Sequence, residues 1–217
     1  MTRLEMTEYE YRAHPAYANS DLTELLTLHT FKPLKKASPK TMQYGTTLHQ
    51  LILEPDRAVD WSRHSKSEGQ RMRELALSVR ERTADLLGGL AFEKPVFWQC
   101  GLTGLPLKAK PDGVRAGLVV DLKTTSARSC EEFVSKFQWY GYDRQAAYYL
   151  KAVPEATEFL FLGVQKAKPH LVYEVWFKRH DEFIEIGTKK IDRLLRLAHE
   201  ESRKEGGWRP SSWKMTE

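Results

Sequence analysis

A length of 217 residues, with 41% hydrophobic, 29% charged and 11% aromatic side chains, suffices for one domain with a real core and excludes intrinsic disorder. The net charge of +5 permits a polyanionic partner without requiring one. No stretch nears the ~20 apolar residues of a membrane span. The N-terminal MTRLEMTEYEYRAHP has no apolar signal core, and the two cysteines, Cys100 and Cys130, match neither a CxxC pair nor a zinc spacing. A cytoplasmic chain with unpaired thiols and no membrane contact is expected.

Periodicity divides the chain into a mainly helical part (1–90), a strand-rich part (91–178), a long helix (180–204) and a tail (205–217). No linker separates them, so a single domain over 1–217 is expected. NSDLTELLTLHTF (19–31) opens on capping residues and continues with Leu22, Leu25 and Leu26 at helical spacing. A basic loop, KPLKKASPK (32–40), precedes a second helix, TMQYGTTLHQLILEP, which stops before Pro55. Residues 68–87 read as a third, ending at Gly88-Gly89. Strand patterns follow at 91–99, 105–112 and 118–125, separated by glycine-containing turns. A helix (143–152) and two further strands (158–166 and 171–178) precede the charged C-terminal helix. This order predicts an α/β core sheet with helices packed around it.

The strand LVVDLKTT carries the chemistry. Side chains alternate along a strand, so Val119, Asp121 and Lys123 share one face while Val120 and Leu122 share the other. In LPLKAKPD the polar face, Lys108 and Lys110 included, ends in Asp112 before a glycine turn at Gly113. A hairpin between these strands would bring Asp112 and Asp121 within reach of one hard cation such as Mg²⁺. Lys123 would then position, or help deprotonate, a water attacking a phosphoryl group. A lone DxK is more often an ion pair at a sheet edge. Other residues stand in a telling order around it: Gly45 and His49 one helical turn apart, Glu93 before the hairpin, and Gln145 and Tyr149 one turn apart after it.

Gly-xxx-His, Glu, Pro-Asp, Asp-x-Lys and Gln-xxx-Tyr, in that order, resemble the extended signature of the RecB-type branch of PD-(D/E)xK, or restriction-endonuclease-like, nucleases. HPAYANSDLTELL, YGTTLHQLILEPD and FLGVQKAKPHLVYEVWF extend the resemblance to exonuclease VIII and lambda-type phage exonucleases, over about residues 8–204. The resemblance implies a restriction-endonuclease-like core, with a central mixed β-sheet flanked by helices. It implies a Mg²⁺- or Mn²⁺-dependent 5′→3′ exonuclease on linear double-stranded DNA, with two ions per site. The product would be a 3′ single strand for a single-strand annealing protein in recombination. It also implies a bacterial or phage-encoded protein that forms a homo-oligomeric ring, a trimer or a tetramer.

Residue by residue, Asp112 and Asp121 match the metal-binding carboxylates, the Leu122 carbonyl a further ligand, and Lys123 the catalytic lysine. His49 and Glu93 match metal-site positions, and Gln145 and Tyr149 the residues that orient the lysine and DNA. Asp121 departs from the glutamate common in the superfamily, a change the RecB branch tolerates. Arg12 and Ser20 are candidates for holding a 5′ phosphate; Lys35, Lys36, Thr124 and Gln145 are further DNA-contacting candidates. The bland alternative for the basic loop is a solvated surface, and for Trp208 and Trp213 it is core packing rather than stacking on bases or capping a neighbouring subunit. Two rivals stand beside this reading. One is a RecB-branch or Cas4-like repair nuclease of other polarity, although a Cas4-like iron–sulfur cluster would need four cysteines. The other is a non-catalytic DNA-binding protein derived from a nuclease.

Overall fold

The computed structural model describes residues 6–31 and 38–216, with side chains to residue 213. Five helices come first: α1 (Glu8–Ala13), α2 (Asn19–Thr30), α3 (Pro39–Leu53), α4 (Lys66–Arg82) and the single turn α5 (Ala84–Leu87). Strands β1 (Ala91–Phe92), β2 (Val96–Gln99), β3 (Pro106–Ala109), β4 (Gly113–Arg115) and β5 (Leu118–Thr125) follow. Helices α6 (Cys130–Val134), α7 (Phe137–Tyr140) and α8 (Tyr142–Ala152) lead to β6 (Glu158–Gln165) and β7 (Val172–Lys178). The long helix α9 (Glu182–Arg203) and a 3-10 turn, Ser211–Thr216, complete the chain. Local chemistry sets the helix starts. Ser38 accepts from the Thr41 N–H with Pro39 in the first turn, and Ser65 accepts from the Glu68 N–H.

The main sheet has the order β1-β4-β5-β6-β7, with β5 and β6 parallel and the remaining pairs antiparallel. It is the mixed, helix-flanked sheet of a restriction-endonuclease-like fold. Alternation along the central strands feeds two cores. Val119, Phe159 and Phe161 join the cluster built with α2, α8 and α9. Val120, Leu122, Leu160 and Leu162 join the cluster built with α3 and α4. With hydrophobic side chains buried on both faces, β5 is fixed in register, and that fixes where its two charged residues point.

Several boundaries differ from the sequence expectation. The strand expected over 91–99 is two, because Glu93 takes a left-handed φ of 51° and Pro95 follows. β1 joins the main sheet, while β2 pairs with β3 in a separate two-stranded sheet. The partner of β5 is therefore β4, which starts at the glycine read as a turn; Gly113 faces Val120 and the chain reverses at Gly117, with φ 78°. The helix expected over 68–87 breaks at Thr83 into α4 and α5. Lys108, read as polar surface, is buried, and its ammonium donates to the carbonyls of Tyr11, Arg12 and His14 at 2.8–2.9 Å. It thereby caps the C-terminal end of α1. In the tail, Trp208 and Trp213 pack on the buried Tyr17 ring at 5.8 and 4.9 Å, so core packing is their role. Both cysteines are free thiols, and among the described residues no helix is long and apolar enough to cross a membrane.

Candidate active site

Three elements converge at the C-terminal half of β5: the link from β3 to β4, helix α3 above one face, and helix α8 above the other. Pairing of Gly113 with Val120 sets Asp112 opposite Asp121. Asp112 Oδ2 accepts from the Leu122 N–H at 2.7 Å. The N–H and C=O of one strand residue leave by the same edge, so the Leu122 carbonyl also faces this side, beyond the last β4 pair. Lys123 Nζ stands 2.5 Å from Asp121 Oδ2, close enough to be an ion pair although no hydrogen bond is aligned on that oxygen. Asp121 Oδ1 accepts from Gln145 Nε2 at 2.9 Å, and that amide also lies 3.4 Å from the Tyr149 hydroxyl.

Helix α3 passes close above β5. A Cβ on Gly45 would touch Thr124 Oγ1 at 3.5 Å. One turn on, His49 Nδ1 lies 3.5 Å from Asp112 Oδ2. Burial, aided by the Lys123 charge, lowers the His49 imidazole to about 4, so it is neutral near pH 7. Glu93 is turned toward Lys110 at 2.9 Å, and Lys110 also pairs with Glu8.

The electrostatics of the acids are unusual. Burial raises Asp112 to about 7, with the Lys123 charge opposing and Glu93 adding. Burial raises Asp121 to about 6, again opposed by Lys123 and reinforced by Asp112. Burial also works against the Lys123 ammonium, but Asp121, Tyr142 and Asp112 outweigh it and hold the amine above its usual value. Lys123 is therefore a proton-bearing donor in this arrangement rather than a free base.

Among the described residues, no three His, Cys, Asp or Glu side chains stand close enough to form a cage around a metal ion. The donor set does fit a hard cation that retains several waters and takes one or two carboxylates. Two desolvated carboxyls share one nearby ammonium, Lys123, and Asp121 Oδ2 is buried without an aligned hydrogen-bond donor.

Arg12 and Ser20 meet in a cavity of about 360 Å³ at the start of α2, lined also by Lys110, Gln145 and Tyr149. Arg12 is tied to Glu8 at 2.7 Å. Lys35 and Lys36 lie outside the described residues. The sequence reading missed Tyr142, whose ring centroid lies 4.8 Å from Lys123 Nζ. Its spacing held the signal: Tyr142, Gln145 and Tyr149 fall at i, i+3 and i+7, on one face of α8.

A mixed sheet carrying Pro-Asp before its hairpin, Asp-x-Lys on the central strand and Gln-xxx-Tyr on the crossing helix defines the PD-(D/E)xK nuclease class. The chain belongs to the family described as PDDEXK-like domain of unknown function (DUF3799), whose profile matches residues 29–206. No curated protein sequence matches it. Among solved structures, a protein from Eubacterium rectale described as a candidate exonuclease is 14% identical, with a TM-score of 0.61 over 100% of this chain and 93% of its own. The alkaline exonuclease from Laribacter hongkongensis is 14% identical, covering 88% of this chain and 91% of its own with a TM-score of 0.46. Its complex with dAMP is 16% identical, covering 88% and 92% with a TM-score of 0.45.

Proposed function

We propose that this protein is a divalent-metal-dependent exonuclease that hydrolyses one strand of linear double-stranded DNA from its 5′ end. The observation that carries the reading is the convergence of Asp112, Asp121 and Lys123 on one edge of a buried strand, with Gln145 holding Asp121 from α8. Asp112, Asp121 and the Leu122 carbonyl would hold Mg²⁺ or Mn²⁺, with His49 and Glu93 beside them. When bound, the ion would polarise a phosphoryl oxygen and make its water a better nucleophile.

The chain's own groups do the rest. Lys123, kept as an ammonium, offers N–H donors to a phosphate oxygen or to the attacking water and balances charge that develops there. Gln145 holds one oxygen of Asp121, and the other, which Lys123 faces, is the one the ion would share. The neutral His49 adds no charge that would compete with a cation. The cavity lined by Arg12, Ser20 and Lys110, with Glu8 and Asp21 also in its wall, adjoins Gln145 and Tyr149 and is offered as the seat of a terminal 5′ phosphate. The family resemblance extends this reading to a ring-shaped homo-oligomer that hands a 3′ single strand to an annealing protein.

Linear duplex labelled at either end tests the polarity, beside a closed circle. The expected result with Mg²⁺ is early release of the 5′ label, strong preference for a 5′-phosphorylated end and an intact circle. Release of the 3′ label first, or cutting of the circle, would contradict it.

A further inference from the structure

The segment FQWYGY (137–142) forms an aromatic series that starts at the lysine and ends in solvent. Helix α7 is closed by Gly141, whose left-handed φ of 66° turns the chain directly into α8 and sets Tyr142 at its first position. The Tyr142 ring is held on several sides. It stacks on Phe161 at 5.2 Å and 22°, and meets Phe137 edge-on at 5.2 Å and 64°. Lys123 Nζ lies over that ring at 4.8 Å, a cation–π distance. Toward solvent, Tyr140 stacks on Tyr142 at 5.5 Å and 26°. Yet Tyr140 is 56% exposed, and its neighbour Trp139 is 71% exposed.

Core packing accounts for Tyr142 but not for two large aromatic side chains left open beside it. A flat ring continuous with the lysine that faces the scissile phosphate suits one occupant: a nucleobase of the strand being cut. Every base presents a π-face, so such a platform needs no sequence preference. We infer that Tyr142 is a positioning residue for Lys123 and that Tyr140 is a stacking platform for the base next to the scissile phosphate, an inference that rests on the nuclease reading above.

The test compares wild type, Tyr140→Ala, Tyr142→Leu, Tyr142→Met and Tyr142→Phe. Steady-state hydrolysis uses duplexes whose terminal nucleotide is normal or abasic, and binding in EDTA uses 2-aminopurine at that position. Tyr140→Ala should raise KM about tenfold on the normal end, with kcat nearly kept, and show no such loss on the abasic end. Tyr142→Leu and Tyr142→Met should lower kcat about tenfold with KM nearly kept, and Tyr142→Phe, which retains the ring, should restore it. Wild type should quench 2-aminopurine in EDTA and Tyr140→Ala should not. Equal losses on normal and abasic ends, an unquenched wild type, or full kcat in a folded Leu or Met variant would overturn the inference. Quenching that depends on Tyr140, in a wild type that hydrolyses nothing, would instead overturn the nuclease reading and support the platform.

Discussion

Asp112 and Asp121 resist carrying negative charge, because both are buried and Glu93 and Asp112 respectively oppose their ionisation. In the metal-free protein their folded values, about 7 and about 6, lie above the unfolded value of about 4. The stability they contribute is therefore complete below pH 4 and is lost as the pH rises through about 6 and 7. The melting temperature in EDTA should fall between pH 5 and pH 8 more steeply than in the Asp112→Asn, Asp121→Asn double variant. Mg²⁺ should restore more at pH 8 than at pH 5, since protons compete with the ion for the same oxygens. Parallel wild-type and double-variant profiles would contradict this. At this scale the sequence was informative where charge broke an apolar alternation, as at Asp121 and Lys123. It was misleading where an ionisable residue served the interior: Lys108 reads as surface, and only the fold reveals three carbonyls converging on it.

Helix α8 carries Gln145 and Tyr149 to the strand, and its position depends on how closely α9 approaches. A Cβ on Gly187 would lie 2.0 Å from the Asp143 carbonyl oxygen, a backbone atom that cannot swing aside. Gly187→Ala should thus push the helices apart and cost about 3 kcal/mol, read by chemical denaturation. Hydrolysis should fall as well, because the Gln145–Asp121 contact moves with α8. A variant as stable and active as wild type would show that the helices accommodate the methyl group. Long helices and the two long central strands were legible because eight or more residues repeat one period. Short elements were not. β4 has three residues and begins with the glycine read as a turn, while a positive φ at Glu93 divides an apparently continuous strand. The expected approach of Asp112 to Asp121 survives the change of partner, since Asp112 lies between β3 and β4 and so adjoins either strand that could pair with β5.

At the scale of the molecule, the sheet separates two cores, and the candidate site lies where β4 begins and β5 continues past it. That gap leaves backbone and carboxylate oxygens of the central strand free of a neighbouring strand, while helices on both faces supply His49 and Gln145. Composition and periodicity could indicate an α/β sheet, but only the ordered motifs carried the family resemblance. Oligomeric assembly left no signature in either, because a single chain's pattern records its own core and not its neighbours. In the proposed function Asp112, Asp121 and Lys123 act as one hydrolytic site. Its most direct test is the rate of hydrolysis of linear duplex DNA with Mg²⁺ by wild type, Asp121→Ala and Lys123→Ala. Wild type should digest DNA only with the metal, and each variant should lose about 100-fold or more; variants that digest DNA as fast as wild type would contradict a shared site.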